Sequence, residues 1–438
     1  MSGAAPSTTG APAHSALGIA EVVERVFGHV RADVAEADWR KGSWGFGSRP
    51  LKEFAWHGRV RRCWADPAKK IYLSHLFVEE LTFIWRRPRI EAPAWAYDQV
   101  ASIVFNVYPE DPCRYDPGDS AGNGLAAILR AASNVRSLTM IDDEMVGCVF
   151  THPAMEIALR NAFTLRHVRL VMPDGASQAE KAEYLYSSPP CVEIAALIPG
   201  LRSLDISFDV GYEKPLPTAG IGFRTLTELR LAVEPGWDID STEESRFRTD
   251  IDAQSRELLI ATLEWLVEGS SIRMLSLEAR RADTEVVIGG GAERFGEAFA
   301  AGVLPKVAGT LTHLRLVDDS AGRGMASGLV QHLPALVSVE ILELGGFKVG
   351  ALGLDRMQPK ELRTLSLAID DAADAELLQL VEDPMLGRLR ALRIAAMQPT
   401  DPSRYGNEAE AKALEHSEGF RDAIERACSK RDISLVLA

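Results

Sequence analysis

The stretch Leu311-Thr312-His313-Leu314-Arg315-Leu316 decides how the chain folds. Leu314 and Leu316 are two residues apart, and side chains two apart on an extended backbone point to the same face. Arg315, between them, points the other way. The segment therefore reads as a short strand with one apolar and one polar face. A single such match occurs in many amphipathic segments, so its weight comes from repetition.

The same pattern (apolar, two variable, apolar, one variable, apolar) recurs along the chain. It runs through Val100/Ile103/Phe105, Val135/Leu138/Met140, Leu165/Val168/Leu170, Leu201/Leu204/Ile206, Leu226/Leu229/Leu231 and Ile272/Leu275/Leu277. Beyond the opening stretch come Val339/Leu342/Leu344, Leu362/Leu365/Leu367 and Leu389/Leu392/Ile394, with Ile433/Leu435/Leu437 as a closing edge strand. Helical stripes precede several units, for example Leu125, Ile128, Leu129 and Ala132, or Leu258, Leu259, Leu263, Leu266 and Val267. Strand and helix in regular alternation predict an α/β solenoid of parallel strands with helices behind them. One unit cannot bury its apolar face alone, whereas a stack shares a continuous core.

These residues resemble the leucine-rich repeat, L-x-x-L-x-L-x-x-N/C, over residues 96–438. The resemblance implies parallel strands on a concave face and helices outside. Unit spacings of 35, 30, 36, 25, 46, 39, 28, 23 and 27 residues predict an irregular array with inserted loops. At the ninth position, where the family uses Asn, stand Asp143, Asp209, Asp319 and Asp370 beside residues such as Phe347. A carboxylate accepts from backbone amides but does not donate, so a ladder of Asn side chains is not expected.

Ahead of the repeats, residues 1–17 read as a disordered tail and 18–95 as a small helical module. Ile19, Val22, Val23, Val26 and Phe27 recur at helical spacing. Ile19 to Val30 (IAEVVERVFGHV) resembles the first helix of the F-box. Leu51 to Leu76 (LKEFAWHGRVRRCWADPAKKIYLSHL) is similar to the later part of fungal F-box proteins, with Val60, Cys63, Trp64, Asp66, Pro67, Tyr72, Leu73 and Leu76 at the matching positions. The Leu-Pro that opens the family's first helix is replaced by Leu17-Gly18, and residues 31–50 are an insertion. The resemblance implies a substrate receptor of a Skp-cullin-F-box ubiquitin ligase, with Ile19, Val22, Val23, Val26, Phe27, Val60, Trp64 and Leu76 against a Skp-type adaptor. The other interaction reading is a repeat scaffold whose N-terminal helices merely cap the array.

Charge narrows the partners. Lys plus Arg number 48 and Asp plus Glu 62, a formal net charge of −14. Nucleic acid is disfavoured, because phosphate binding draws its affinity from clustered basic residues. The chain has no apolar run of membrane-spanning length and starts without a basic, apolar leader, so it is expected to be intracellular, in cytoplasm or nucleus. Five scattered cysteines without a CxxC pair suggest reduced thiols, and no metal or cofactor is expected.

One stretch invites an enzymatic reading. Gly118-Asp119-Ser120-Ala121-Gly122 matches G-x-S-x-G, the strand-to-helix turn that exposes a nucleophilic serine in hydrolases. Prolines crowd the segment before it, which argues against a strand running into the turn, and a non-enzymatic chain is expected. A fluorophosphonate probe tests the serine hydrolase alternative.

The polar residues between the apolar strand positions predict the interaction surface: Thr139, Arg169, Asp205, Arg230, Ser276, Arg315, Glu343, Ser366 and Arg393. His167 and His313 stand beside Arg169 and Arg315. Neighbouring strands lie about 4.8 Å apart, which would put Arg169, Asp205 and Arg230 within reach of one another. This strip is the expected binding face for a target protein, with an acidic or mixed-charge surface as the fitting partner.

Overall fold

The computed structural model describes residues 75–79, 97–107, 117–142, 149–150, 152–171, 191–206, 224–233, 257, 260–261, 263–279, 291–318, 325–352, 357–369, 373–396, 416–417 and 419–437. They build an α/β fold on one sheet of twelve strands that follow one another in chain order. The strands are β1 His75–Glu79, β2 Ser102–Val107, β3 Ser137–Asp142, β4 His167–Val171, β5 Ser203–Ile206 and β6 Glu228–Val233. Then come β7 Met274–Ala279, β8 His313–Asp318, β9 Ile341–Gly345, β10 Thr364–Ile369, β11 Ala391–Ala396 and β12 Ser434–Leu437. Every pairing is parallel. The result is solenoid-like.

The apolar pattern dictates the register. Ile103 pairs with Leu138, Leu138 with Val168 and Val168 with Leu204, and the row continues through Leu314 and Leu392 to Leu435. The third apolar residue of each unit forms a second row two positions on. From Ile103 to Ile394 no member of either row is more than 4% exposed. A slip of one residue would turn both rows outward, so burial itself fixes the pairing.

Helices occupy the connections: α1 Pro117–Ala131, α2 Pro153–Arg160, α3 Cys191–Ala196, α4 Gly291–Ala298, α5 Leu304–Val307, α6 Met325–His332, α7 Asp374–Glu382 and α8 Phe420–Lys430. Their apolar sides join the strand rows in one continuous core. The predicted stripe of α1 is buried as expected at Leu125, Ile128 and Leu129, with Ala132 just beyond the helix end. Leu263, Leu266 and Val267 are likewise buried. Between α4 and α5 the helix widens into a π turn, Phe299–Val303, where the Leu304 N–H donates to the Phe299 carbonyl five residues back. Pro305 follows and has no N–H to donate, so the wider turn relieves its clash with the preceding carbonyls. Gly328 lets α6 lie close on α4: a Cβ there would stand 2.0 Å from the Glu293 carbonyl oxygen.

Adjacent units are tied by threonine hydroxyls at the turns before β4, β6 and β8. The Thr164 hydroxyl donates to the Val135 carbonyl at 2.9 Å, Thr225 to Leu201 at 2.7 Å and Thr310 to Ile272 at 2.6 Å. Each hydroxyl stands directly before the first apolar residue of one unit and reaches the first apolar residue of the unit before. Where Gly200 holds that place, the Arg166 guanidinium reaches across to the Pro199 and Gly200 carbonyls at 3.3 and 3.2 Å. Gly200 has φ +78°, which favours glycine, and a Cβ there would fall 2.6 Å from Arg166 Nη1 and displace the guanidinium from these carbonyls. At the ninth position Phe347 is buried in the core, an apolar filling rather than a polar rung.

The far end is clasped by side chains. Asp374 Oδ1 lies 2.6 Å from His416 Nδ1, and the Ser417 N–H donates to Asp374 Oδ2 at 2.6 Å. The hydrogen bonds from Ser417 and His416 hold the Asp374 carboxyl below its usual range despite the opposing effect of burial, the largest single influence on it. Arg431 donates to the Val381, Asp383 and Leu386 carbonyls, fastening the turn after α8 to the unit before it. The expected closing strand is present as β12, at the sheet edge.

The beginning of the sheet departs from expectation. The repeat domain was expected to start at residue 96, yet β1 at His75–Glu79 already pairs with β2, Leu76 opposite Ile103. Leu76, expected on the helical module facing an adaptor, is 2% exposed within the sheet core. Its register with Ile103 is the physical reason: the residue completes the apolar row. The other adaptor positions, Ile19, Val22, Val23, Val26, Phe27, Val60 and Trp64, and the tail at 1–17 lie outside the described residues. No described helix is long and apolar enough to cross a membrane.

Candidate functional site: the open face of the sheet

The helices cover the side of the sheet that carries the two apolar rows. Residues between those rows face the other side, which we call the open face. Register brings Thr139, Arg169, Asp205, Arg230, Ser276, Arg315, Glu343, Ser366 and Arg393 into one line, one residue per strand from β3 to β11. The predicted strip is thus assembled in sequence order, with His167 and His313 in the parallel line two positions earlier.

Two clusters stand out within it. In the first, Arg169 Nε lies 3.3 Å from Asp205 Oδ2, and Arg230 flanks Asp205 on the next strand. Burial pushes the Asp205 carboxyl up from its ordinary range, although Arg169, Arg230 and Arg315 all pull it down and Glu278 adds to the rise. Arg230 Nη2 also reaches the Met274 sulfur at 3.5 Å.

The second cluster is centred on Arg315. Its Nη1 donates to Ser276 Oγ and to Glu278 Oε2, each at 3.2 Å, while its Nε lies 3.7 Å from Glu343 Oε2. Glu343 Oε1 lies 2.9 Å from His313 Nε2. An ionised carboxylate only accepts, so this contact places a proton on Nε2. The His313 hydrogen bond holds the Glu343 carboxyl below its usual value, against burial and with help from Arg315 and Arg393. Ser276, between the clusters, is 4% exposed.

Arg393, further along the line, is exposed, as is His167 in the parallel line. A second feature lies at the end of the sheet where the strands begin. Arg136, Arg166 and Arg202 follow one another on successive units, because each carbonyl accepts two backbone N–H groups from the next. The Arg136 carbonyl, for instance, accepts from Arg166 at 2.8 Å and His167 at 3.0 Å.

Glu278 was not among the residues expected here. Continuing the alternation of β7 one step past Leu277 finds it, since Ser276 and Glu278 are two apart on one face. The repeating apolar pattern ends at Leu277, one position before Glu278. A buried carboxylate was also not expected at Asp318, which is 5% exposed and accepts from the Ala326 N–H at 2.6 Å near the start of α6.

The Gly118–Gly122 motif lies inside the first turns of α1, and β2 ends at Val107. A serine there stands on a helix, not at a turn joining strand directly to helix. Gly122 lies against the His152 ring, where a Cβ would come within 2.4 Å of Cγ, and His152 Nδ1 accepts from the Ala154 N–H at 3.2 Å to cap α2. Among the described residues no group of three or more His, Cys, Asp or Glu is placed to hold a metal ion.

No family model and no curated protein matches the chain. Among solved structures, one described as "Structure of the Toll - Spatzle complex, a molecular hub in Drosophila development and innate immunity" is 12% identical, with a TM-score of 0.25. The match covers 70% of this chain and 42% of that one, so the chain spans less than half of its neighbour's length.

Proposed function

We propose that this chain is a non-enzymatic protein-interaction protein of the leucine-rich repeat type that selects a target with the open face of its sheet. The observation that carries this reading is the polar line from Arg169 to Arg393, one side chain per strand and six of its eight members charged, on the side of the sheet away from the described helices. Solenoids bind partners along such surfaces, which offer many small contacts in a fixed array. With the F-box-like pattern at Ile19 to Leu73, the chain acts as the substrate receptor of an intracellular ubiquitin ligase. Ile19, Val22, Val23, Val26, Phe27, Val60 and Trp64 dock on a Skp-type adaptor, and the repeats hold the protein to be modified.

A pull-down with a Skp-type adaptor tests the role. The wild-type chain is expected to bind, and Val26→Asp with Phe27→Asp to abolish binding while leaving the repeat domain folded. Absence of wild-type binding, or full binding by the double variant, rules out the adaptor role.

A second reading, a repeat scaffold without ligase partnership, draws on one observation. Leu76 belongs to β1 and not to a helix, so the end of the F-box-like stretch is spent on starting the sheet. A chain that ignores the adaptor yet retains an open-face ligand fits this scaffold.

A further inference from the structure

The two clusters on the open face have opposite polarity. On β4 to β6 two arginines, Arg169 and Arg230, bracket Asp205; on β7 to β9 two glutamates, Glu278 and Glu343, bracket Arg315. At the rim Arg136, Arg166 and Arg202 lead into β3, β4 and β5, while Arg273, Thr312 and Glu340 hold that place before β7, β8 and β9, so basic residues are densest beside the first cluster.

We infer that the open face binds an extended peptide segment of mixed charge, seating an acidic group over Arg169 and Arg230 and a basic group over Glu278 and Glu343. This rests on the interaction reading above and specifies its ligand. A wholly acidic segment long enough to span both clusters meets the two glutamates, and a wholly basic one meets the arginines. Only a segment with both signs is complementary along the whole line.

Distance fixes the spacing. From Asp205 on β5 to Arg315 on β8 is three strand steps, roughly 14 Å, which an extended chain covers in about four residues. Ser276 lies between the central charges, its buried hydroxyl accepting from Arg315, so the ligand is read by the charged side chains on either side of it. The existing pairs do not block exchange. Arg169 keeps 49% of its side chain exposed and Arg315 and Glu343 keep 34% each, while Asp205 and Glu278 are more covered at 19% and 17%. Partly solvated pairs of this kind are weak, so a partner's charges can replace or extend them at small cost.

The test is selection of a random twelve-residue peptide library, displayed on phage, against the full chain in low salt. Enriched sequences are expected to carry Asp or Glu and Lys or Arg in blocks about four residues apart, the span of the two clusters. Binding of a selected peptide should fall about tenfold in Arg169→Ala/Arg230→Ala and again in Glu278→Gln/Glu343→Gln, and as steeply when salt is raised. Enrichment of apolar or single-sign peptides that are lost in these variants overturns the mixed-charge proposal while leaving the interaction reading standing. Peptides insensitive to every open-face substitution, or no enrichment at all, overturn both.

Discussion

The first and second clusters of the open face are the same device with its signs exchanged. Arg169, Asp205 and Arg230 place one carboxylate between two cations; Glu278, Arg315 and Glu343 place one cation between two carboxylates. Their scaffolds match, since each sits on the same two apolar rows in the same register. The carboxylates of the two clusters fare differently. Asp205 sits where burial outweighs its arginines and raises its carboxyl, whereas Glu343, on the flank of its cluster, gains a direct imidazole hydrogen bond and is lowered. Two arginines nearby do not guarantee a lowered carboxyl: at Asp205 burial outweighs them, while at Glu343 the imidazole hydrogen bond outweighs burial.

If the scaffolds are equivalent, truncating the core beneath either cluster must cost the same. Leu229→Ala under the first and Leu314→Ala under the second are each expected to destabilise by about 2–5 kcal/mol in urea unfolding, both residues being fully buried. A disparity of several kcal/mol would end the claim that only the charges differ. Gly328→Ala should separate the halves next. It forces α6 away from the Glu293 carbonyl behind the second cluster alone, at about 1–3 kcal/mol, and leaves the first cluster's peptide binding unchanged.

Removing the central charge gives a smaller contrast. Arg315→Met strands Glu278 and Glu343 together and should cost about 1 kcal/mol, less in high salt. Asp205→Asn should be close to neutral, because it removes a carboxylate whose burial is unfavourable. Equal losses in the two variants would contradict the polarity argument.

Acid titration sharpens the comparison further. The folded-state value of Glu343 is lowered, so its contribution is complete above the ordinary glutamate range and fades as pH falls through the folded value. The stability gap between wild type and Glu343→Gln should therefore narrow as pH falls from 7 to below the ordinary glutamate value. Asp205 is raised, so what it contributes is present below the ordinary aspartate value and lost as pH rises through the folded one. The gap to Asp205→Asn should move in wild type's favour on acidification. Thermal unfolding of both variants across that range reads out the two opposite slopes.

Much of the sheet could be read from the chain because each strand announces itself with three apolar residues, and the open line follows from what lies between them. His75-Leu76-Phe77-Val78-Glu79 escaped, since its five residues follow a basic and aromatic stretch whose helical reading absorbed them. Only pairing with Ile103 and Phe105 reveals it as a strand. Glu278 was one step past the end of the pattern. The threonine ties were invisible for another reason: the carbonyls that Thr164, Thr225 and Thr310 reach lie 29, 24 and 38 residues away, and only stacking brings them close. The strip's membership was thus legible, while its division into two clusters depended on side-chain reach.

The unslipped register acts as a ruler with about 4.8 Å between ticks. Units of 25 and 46 residues contribute one tick each, so the extra length of a loop is spent off the scale and never shifts the marks. Positions on the line are consequently addressable: exchanging Ser366 rewrites a single mark and leaves the register of its neighbours as it stands. Lengthening a connection changes what surrounds the ruler, not what it measures.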